Sequence, residues 1–130
     1  DLKYLEHGGR IGKAASIAGS VLNIKPLLQY YDGELASPEI CRGRKKSLQK
    51  MMEMFFSYIE KHQIRLEEYH LATGVGLPVA EYERFKQQLR EGLQKRGYHV
   101  TEWEEIQIGA TIGVHTGPYP MGVGFLKRCQ

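Results

Sequence analysis

Two stretches of this chain, residues 44–62 and 79–96, place apolar side chains at three- and four-residue steps. That spacing commits each to a helix with one buried face. Leu48, Met51, Met52, Phe55 and Ile59 make the first stripe; Val79, Tyr82, Phe85, Leu89 and Leu93 make the second. A helix striped on one side needs a sheet or another helix to cover it.

The sequence supplies strands for that purpose. Residues 24–31 read as a strand with Pro26 near its start or edge. Asp32-Gly33 signals a hairpin turn, and residues 34–41 return antiparallel, with Pro38 marking an exposed edge or a bulge. Residues 64–73 have strand character, and Gly74, Gly76 and Pro78 place a loop after them. Gly97 suits a helix C-terminal cap, whereas Gly92 weakens the helix that contains it. Residues 98–108 form a further strand, with Val100, Ile106 and Ile108 on one parity. Glycine collects at the two ends: residues 7–12 form a turn leading into a small-residue helix over 13–22, and residues 109–124 form a glycine-rich segment. Residues 123–126 supply a last short strand. Hairpins mixed with helical crossovers predict an α+β fold: a mixed, mainly antiparallel sheet packed with helices.

Length fits a single domain over residues 1–130. At 42% hydrophobic and 25% charged, the composition excludes extensive disorder. No apolar run reaches about 20 residues, so no integral membrane segment is expected. Lys and Arg outnumber Asp and Glu by 18 to 15, a surplus too small to mark a nucleic-acid binder. Cys41 and Cys129 form no CxxC pair and no HExxH spacing occurs, so neither a metal nor another cofactor is expected. The simplest compartment for such cysteines is the reduced cytoplasm. The chain opens at Asp1 in amphipathic sequence, which suggests a start within a longer protein.

Four groups of residues invite chemistry. Gly8-Gly9-Arg10-Ile11-Gly12-Lys13 fails as a phosphate loop, because three residues separate Gly8 from Gly12 and Ala14 follows the lysine. What survives is a glycine turn, Arg10 and a helix start, which favour an anion or simply make a tight turn with a solvated arginine. His115 lies in the C-terminal glycine-rich segment beside Thr116, ahead of Gly117-Pro118. An imidazole and a hydroxyl there can hold a carboxylate or phosphoryl oxygen, or satisfy a loop carbonyl. His7, His62, His70 and His99 read as surface or capping residues. Arg42-Gly43-Arg44-Lys45-Lys46 puts cations at a helix start, against the helix dipole, as a docking surface or as a solvated run. Met51, Met52, Met54, Phe55 and Phe56 suit either a lipid-facing pocket or the core.

The glycine-rich ends and the basic stretch together resemble the DegV family of bacterial fatty-acid-binding proteins. Residues 2–13, Leu-Lys-Tyr-Leu-Glu-His-Gly-Gly-Arg-Ile-Gly-Lys, resemble its L-x-Y-L-x-x-G-G-R-I stretch. Residues 19–28, Gly-Ser-Val-Leu-Asn-Ile-Lys-Pro-Leu-Leu, resemble the segment that follows. Arg42 to Lys46 resembles its R-x-R-K-K, and Ile112-Gly113-Val114-His115-Thr116-Gly117-Pro118 resembles its I-G-x-H-T-G-P signature. The four come in family order and span nearly the whole chain. After the last, the family commonly has Gly-Ala, where this chain has Tyr119-Pro120-Met121.

The resemblance implies the C-terminal domain of a two-domain protein whose N-terminal α/β domain is absent from this chain. It implies a long-chain fatty acid held between the domains, with its carboxyl near His115, Arg10 and Thr116. It also implies that a separate fatty acid kinase phosphorylates the presented carboxyl for phospholipid synthesis, docking on Arg42, Arg44 and Lys45. On that reading the chain is a carrier and not itself a catalyst. Without its N-terminal domain it leaves a cleft-facing surface exposed and is expected to self-associate. Two alternatives stay open from the residues: an enzyme on a small anionic substrate with His115 as acid or base, and an interaction module working through the basic cluster.

Overall fold

The computed structural model describes Tyr4 and residues 24–129. The glycine turn expected at residues 7–12, with Arg10, and the helix expected over 13–22 lie outside the described residues. In order, the elements are β1 (Ile24–Tyr31), β2 (Glu34–Arg42), α1 (Arg44–Lys61), a 3-10 turn (Leu66–Glu68), β3 (Tyr69–Val75), α2 (Ala80–Lys95), β4 (Glu104–Gln107), α3 (Ala110–Thr116) and β5 (Met121–Lys127).

β1 and β2 form the expected antiparallel hairpin. Its turn residues, Asp32 (φ 50°) and Gly33 (φ 81°), both have positive φ, which matches the right-handed twist of the strands. A register shift falls between Leu27 and Gln29 on β1. Gly43 (φ 85°) then turns the chain directly into α1.

α1 and α2 realise the two apolar stripes. α1 buries Phe55, Phe56 and Ile59, and α2 buries Tyr82, Phe85, Leu89 and Leu93. Of the Met-Phe run, Met51, Met52, Phe55 and Phe56 join the core, and Met52 packs on both buried clusters. An ion pair joins the helix starts, Arg44 Nε to Glu81 at 3.1 Å, and another joins the ends, Arg96 Nε to Glu60 at 2.7 Å. The helices therefore run parallel. Gly92 is explained by this packing, because a Cβ there would stand 2.5 Å from Phe56 Cζ. The helix gives up about 1 kcal/mol of intrinsic propensity so that the ring can sit against its backbone. Gly97 (φ 78°) ends α2 as expected, with the Tyr98 amide donating to the Leu93 carbonyl at 3.0 Å.

Among the described residues the strands divide between two sheets where the sequence suggests one: β1 pairs with β2, and the second sheet has the order β4-β3-β5. β3 runs parallel to β4 and antiparallel to β5. The α+β class stands, with the parallel pairing making the second sheet mixed. β3 buries Leu71, Thr73 and Val75 on one face, toward the helices. Three regions depart most from expectation, and β5 is longer at both ends than the strand expected over 123–126. Residues 66–68 wind into a turn that buries Leu66, so β3 starts at Tyr69 and runs through Gly74 to Val75. The strand expected over 98–108 contracts to Glu104–Gln107, where β3 offers a partner; Tyr98, Val100 and Trp103 reach the core from irregular backbone, and Ile106 is exposed. The glycine-rich segment contains α3, whose apolar Ile112 and Val114 point outward and so leave no amphipathic signature.

Two polar groups inside this packing are satisfied. Thr73 Oγ1 accepts from Trp103 Nε1 at 3.0 Å and shares a hydrogen bond with the Tyr82 hydroxyl at 2.8 Å. Lys86, buried on α2, donates to both carboxylate oxygens of Glu105 on β4 at 2.8 Å and to Glu83 at 2.9 Å. Burial opposes its charge, but the hydrogen bonds to Glu105 and Glu83, with their negative charges, outweigh it and raise the Lys86 pKa above 10.5. A raised lysine pKa stabilises the fold fully below the ordinary value and is lost as pH rises through the raised one. Glu105 is half exposed and Glu83 still pairs with Lys86 in its absence, so Glu105→Gln is expected to cost about 1 kcal/mol at neutral pH. The gap to wild type should close in strongly alkaline solution. Urea denaturation across that range checks it, and a gap that is independent of pH would count against this role for the ion pair.

Candidate functional site

The parallel strands β3 and β4 end at the same side of their sheet, and the amide of Ile108 extends the pairing to the Val75 carbonyl at 2.8 Å. Loops beyond the carboxyl ends of parallel strands are where open α/β sheets build binding sites. α3 begins immediately after this point. It closes by Gly113 to Gly109 and Gly117 to Gly113 amide–carbonyl bonds of 3.0 and 2.8 Å. Gly117 takes φ 89°, a conformation that favours glycine, and turns the chain toward β5.

The segment after α3 is fixed to the end of β3. The Gly76 amide donates to the Pro120 carbonyl at 3.0 Å, and the Leu77 amide to the Pro118 carbonyl at 2.8 Å. Gly76 is buried, and a Cβ there would collide with the Pro118 carbonyl oxygen and stand 2.6 Å from Pro120 Cδ. Only glycine admits this approach. Sequence reading takes Gly76 as loop punctuation, and nothing local links it to residues 118–120.

His115 therefore lies in the last turn of a short helix, where a loop was expected. It is half-buried, and its Nδ1 is closed off from solvent with no hydrogen-bond partner among the described residues. A buried ring nitrogen in that condition is set to accept or donate one more bond. Thr116 follows it, and its hydroxyl donates back to the Ile112 carbonyl at 3.1 Å, with the Gly117 carbonyl at 3.3 Å. In this arrangement the Thr116 hydroxyl is engaged at the helix end.

The basic cluster is split by the fold. Arg42, at the end of β2, and Lys45, in the first turn of α1, are exposed. Arg44 is half-buried: Nε pairs with Glu81 at 3.1 Å, and Nη1 donates to the Tyr119 carbonyl at 2.7 Å. Glu81, in the first turn of α2, is a residue that sequence reasoning missed. Its carboxylate supplies part of the compensation for a cation at a helix start. Of the expected head-group residues, then, the structure brings His115 and Thr116 into one turn, while Arg10 lies outside the described residues.

Apolar side chains surround this end of the sheet. Leu77, Ile106, Ile112, Val114 and Tyr119 are each about half exposed or more. A half-buried imidazole whose ring nitrogen has no partner among the described residues, on a helix that exposes Ile112 and Val114, suits a ligand with a polar head and an apolar body. Among the described residues no three of His, Cys, Asp and Glu stand close enough to hold a metal, and no helix is long and apolar enough to cross a membrane.

Comparison with known proteins gives the family and the fold. A family model described as "Uncharacterised protein, DegV family" matches residues 1–128. A DegV domain-containing protein of Caldanaerobacter subterraneus is 34% identical over 127 residues, which are 98% of this chain and 42% of that protein. One from Clostridium perfringens is 36% identical over 126 residues, 96% of this chain and 40% of that protein. Among solved structures, a stearic-acid-binding protein from Eubacterium ventriosum superposes with a TM-score of 0.80 at 29% identity, over 98% of this chain and 42% of that one. A fatty-acid-binding DegV family protein from Thermus thermophilus gives 0.70 at 28%, over 98% and 43%. The chain thus spans about two fifths of the length of the relatives it matches.

Proposed function

The chain belongs to the DegV family, and on that premise we propose that it is the carboxyl-binding part of a fatty-acid carrier. The observation that carries the reading is the His115 ring nitrogen, which has no partner among the described residues, on a helix that exposes Ile112 and Val114. A carboxylate satisfies that nitrogen when the imidazole donates, and the alkyl chain covers the aliphatic surface. The solved neighbours described as binding stearic or another fatty acid support the ligand class.

In this proposal a long-chain fatty acid places its carboxyl against His115, with Thr116 and Arg10 beside it. The part of the protein beyond this chain, an N-terminal domain in longer members, closes over the tail. The protein presents the carboxyl in the cytoplasm to a separate fatty acid kinase, which feeds phospholipid synthesis. The exposed cations Arg42 and Lys45 offer that partner a charged surface. The chain carries and the partner catalyses.

The test is lipid extraction and mass spectrometry on the full-length protein that contains this chain, wild type beside His115→Ala. Wild type is expected to hold fatty acid near one equivalent. Loss of one hydrogen bond to a charged group, about 1.5 kcal/mol, predicts roughly tenfold weaker retention in the variant. Equal retention in both removes His115 from the site. No fatty acid in either, even after loading, overturns the carrier reading.

A further inference from the structure

We propose that Arg44 is a positioning residue for the head-group segment and not a charge of the docking surface. Its guanidinium clamps the start of α1 to the backbone that follows His115. Three observations carry this. Nη1 donates to the Tyr119 carbonyl at 2.7 Å, a short charge-assisted bond between residues 75 apart in sequence. Nε is held by Glu81 at 3.1 Å, so the orientation of the fork is set from α2. The remaining nitrogen, Nη2, is closed off from solvent with no hydrogen-bond partner among the described residues, so although the side chain is about one-third exposed its three nitrogens are either engaged by the fold or withheld from solvent.

The geometry makes the clamp effective. Tyr119 lies between Pro118 and Pro120, whose rings fix φ on either side of it. Fixing its carbonyl therefore fixes the segment. The same segment is held on its other side by the Gly76 and Leu77 amides. Residues 118–120 are thus gripped between the end of β3 and the start of α1, and His115 sits one short turn upstream. Arg44 also adjoins the exposed Arg42 and Lys45 in sequence, so the basic surface and the head-group segment share one mechanical link.

Arg44→Lys separates geometry from charge. Lysine keeps the positive charge but has one nitrogen and cannot reproduce the fork that reaches Glu81 and Tyr119 together. The binding readout rests on the fatty-acid reading, so a second readout is taken without ligand. In the full-length protein, wild type, Arg44→Lys and Glu81→Gln are compared for stearate affinity. Amide hydrogen exchange and the imidazole nitrogen resonances of His115 are followed in the fatty-acid-free state. The expected result for Arg44→Lys is about tenfold weaker stearate binding, faster exchange confined to residues 115–121 and a shifted His115 resonance. Glu81→Gln, which keeps an acceptor for Nε, is expected to show the same changes in smaller degree. Wild-type affinity, exchange and resonance in Arg44→Lys would overturn the proposal, as would exchange that rises evenly across the chain. If wild type binds no stearate, the carrier reading fails, while local exchange and the His115 resonance still decide the role of Arg44.

Discussion

Gly76→Ala is expected to destabilise the protein by about 3 kcal/mol and, on the proposed carrier function, to weaken fatty-acid retention. The added Cβ meets the Pro118 carbonyl oxygen and the Pro120 ring, the latter at 2.6 Å. Neither is the end of a flexible side chain. The proline-bounded segment must lift, and lifting breaks the bonds from the Gly76 and Leu77 amides, 3.0 and 2.8 Å long. The Gly76 amide is buried and would be left unpaired, which alone costs about 1–3 kcal/mol. The same movement displaces His115 through Gly117. Urea denaturation and fatty-acid retention, measured together on the full-length protein, test both effects. Stability within about 1 kcal/mol of wild type would mean that the segment yields, contrary to the packing described.

Gly92→Val is the counterpart in the helical layer. Its Cβ would lie 2.5 and 2.6 Å from Phe56 Cζ and Cε2. To withdraw, the ring must break its present contacts. It packs edge-on against Phe55 at 5.3 Å between centroids, and the Arg96 guanidinium lies 3.9 Å from its centre. Overpacking of this kind costs about 1–3 kcal/mol, and the two further methyl groups of valine place it at the upper end, about 3 kcal/mol. The small gain in helix propensity over glycine does not offset that. A double-mutant cycle locates the effect. Phe56→Leu destabilises wild type by opening space, but combined with Gly92→Val it should recover part of the loss. Purely additive losses would place the strain elsewhere.

These two glycines show what the sequence conceals. Both read locally as weaknesses: Gly92 as a poor helix residue and Gly76 as a loop marker. Each is instead a point where another segment approaches too closely for a side chain. The approaching partner leaves no periodic trace near the glycine. Arg44 is a related case. A run of cations reads as one surface, yet the fold ties the half-buried Arg44 to Glu81 and Tyr119 and leaves Arg42 and Lys45 exposed.

Much of the fold was legible nonetheless. The hairpin follows from Asp32-Gly33 between two strand-like runs, because both residues tolerate the positive φ that the turn needs. α1 and α2 follow from their stripes, and Gly97 from the chain reversal after α2. α3 was not legible. It is short, contains Gly113 and exposes Ile112 and Val114, so burial did not pattern its sequence.

The sequence by itself determined the two long helices, the hairpin, the α+β class and, through four ordered segments, the family. It also singled out His115 and Thr116. Tertiary structure alone decided that the strands form two sheets, that α1 and α2 run parallel, and that the segment after His115 is gripped between β3 and Arg44. The reason is physical. Local periodicity records which face of an element is buried, because every residue along it bears that constraint. It does not record which distant segment does the burying, since a single close contact or hydrogen bond constrains only the residues that make it.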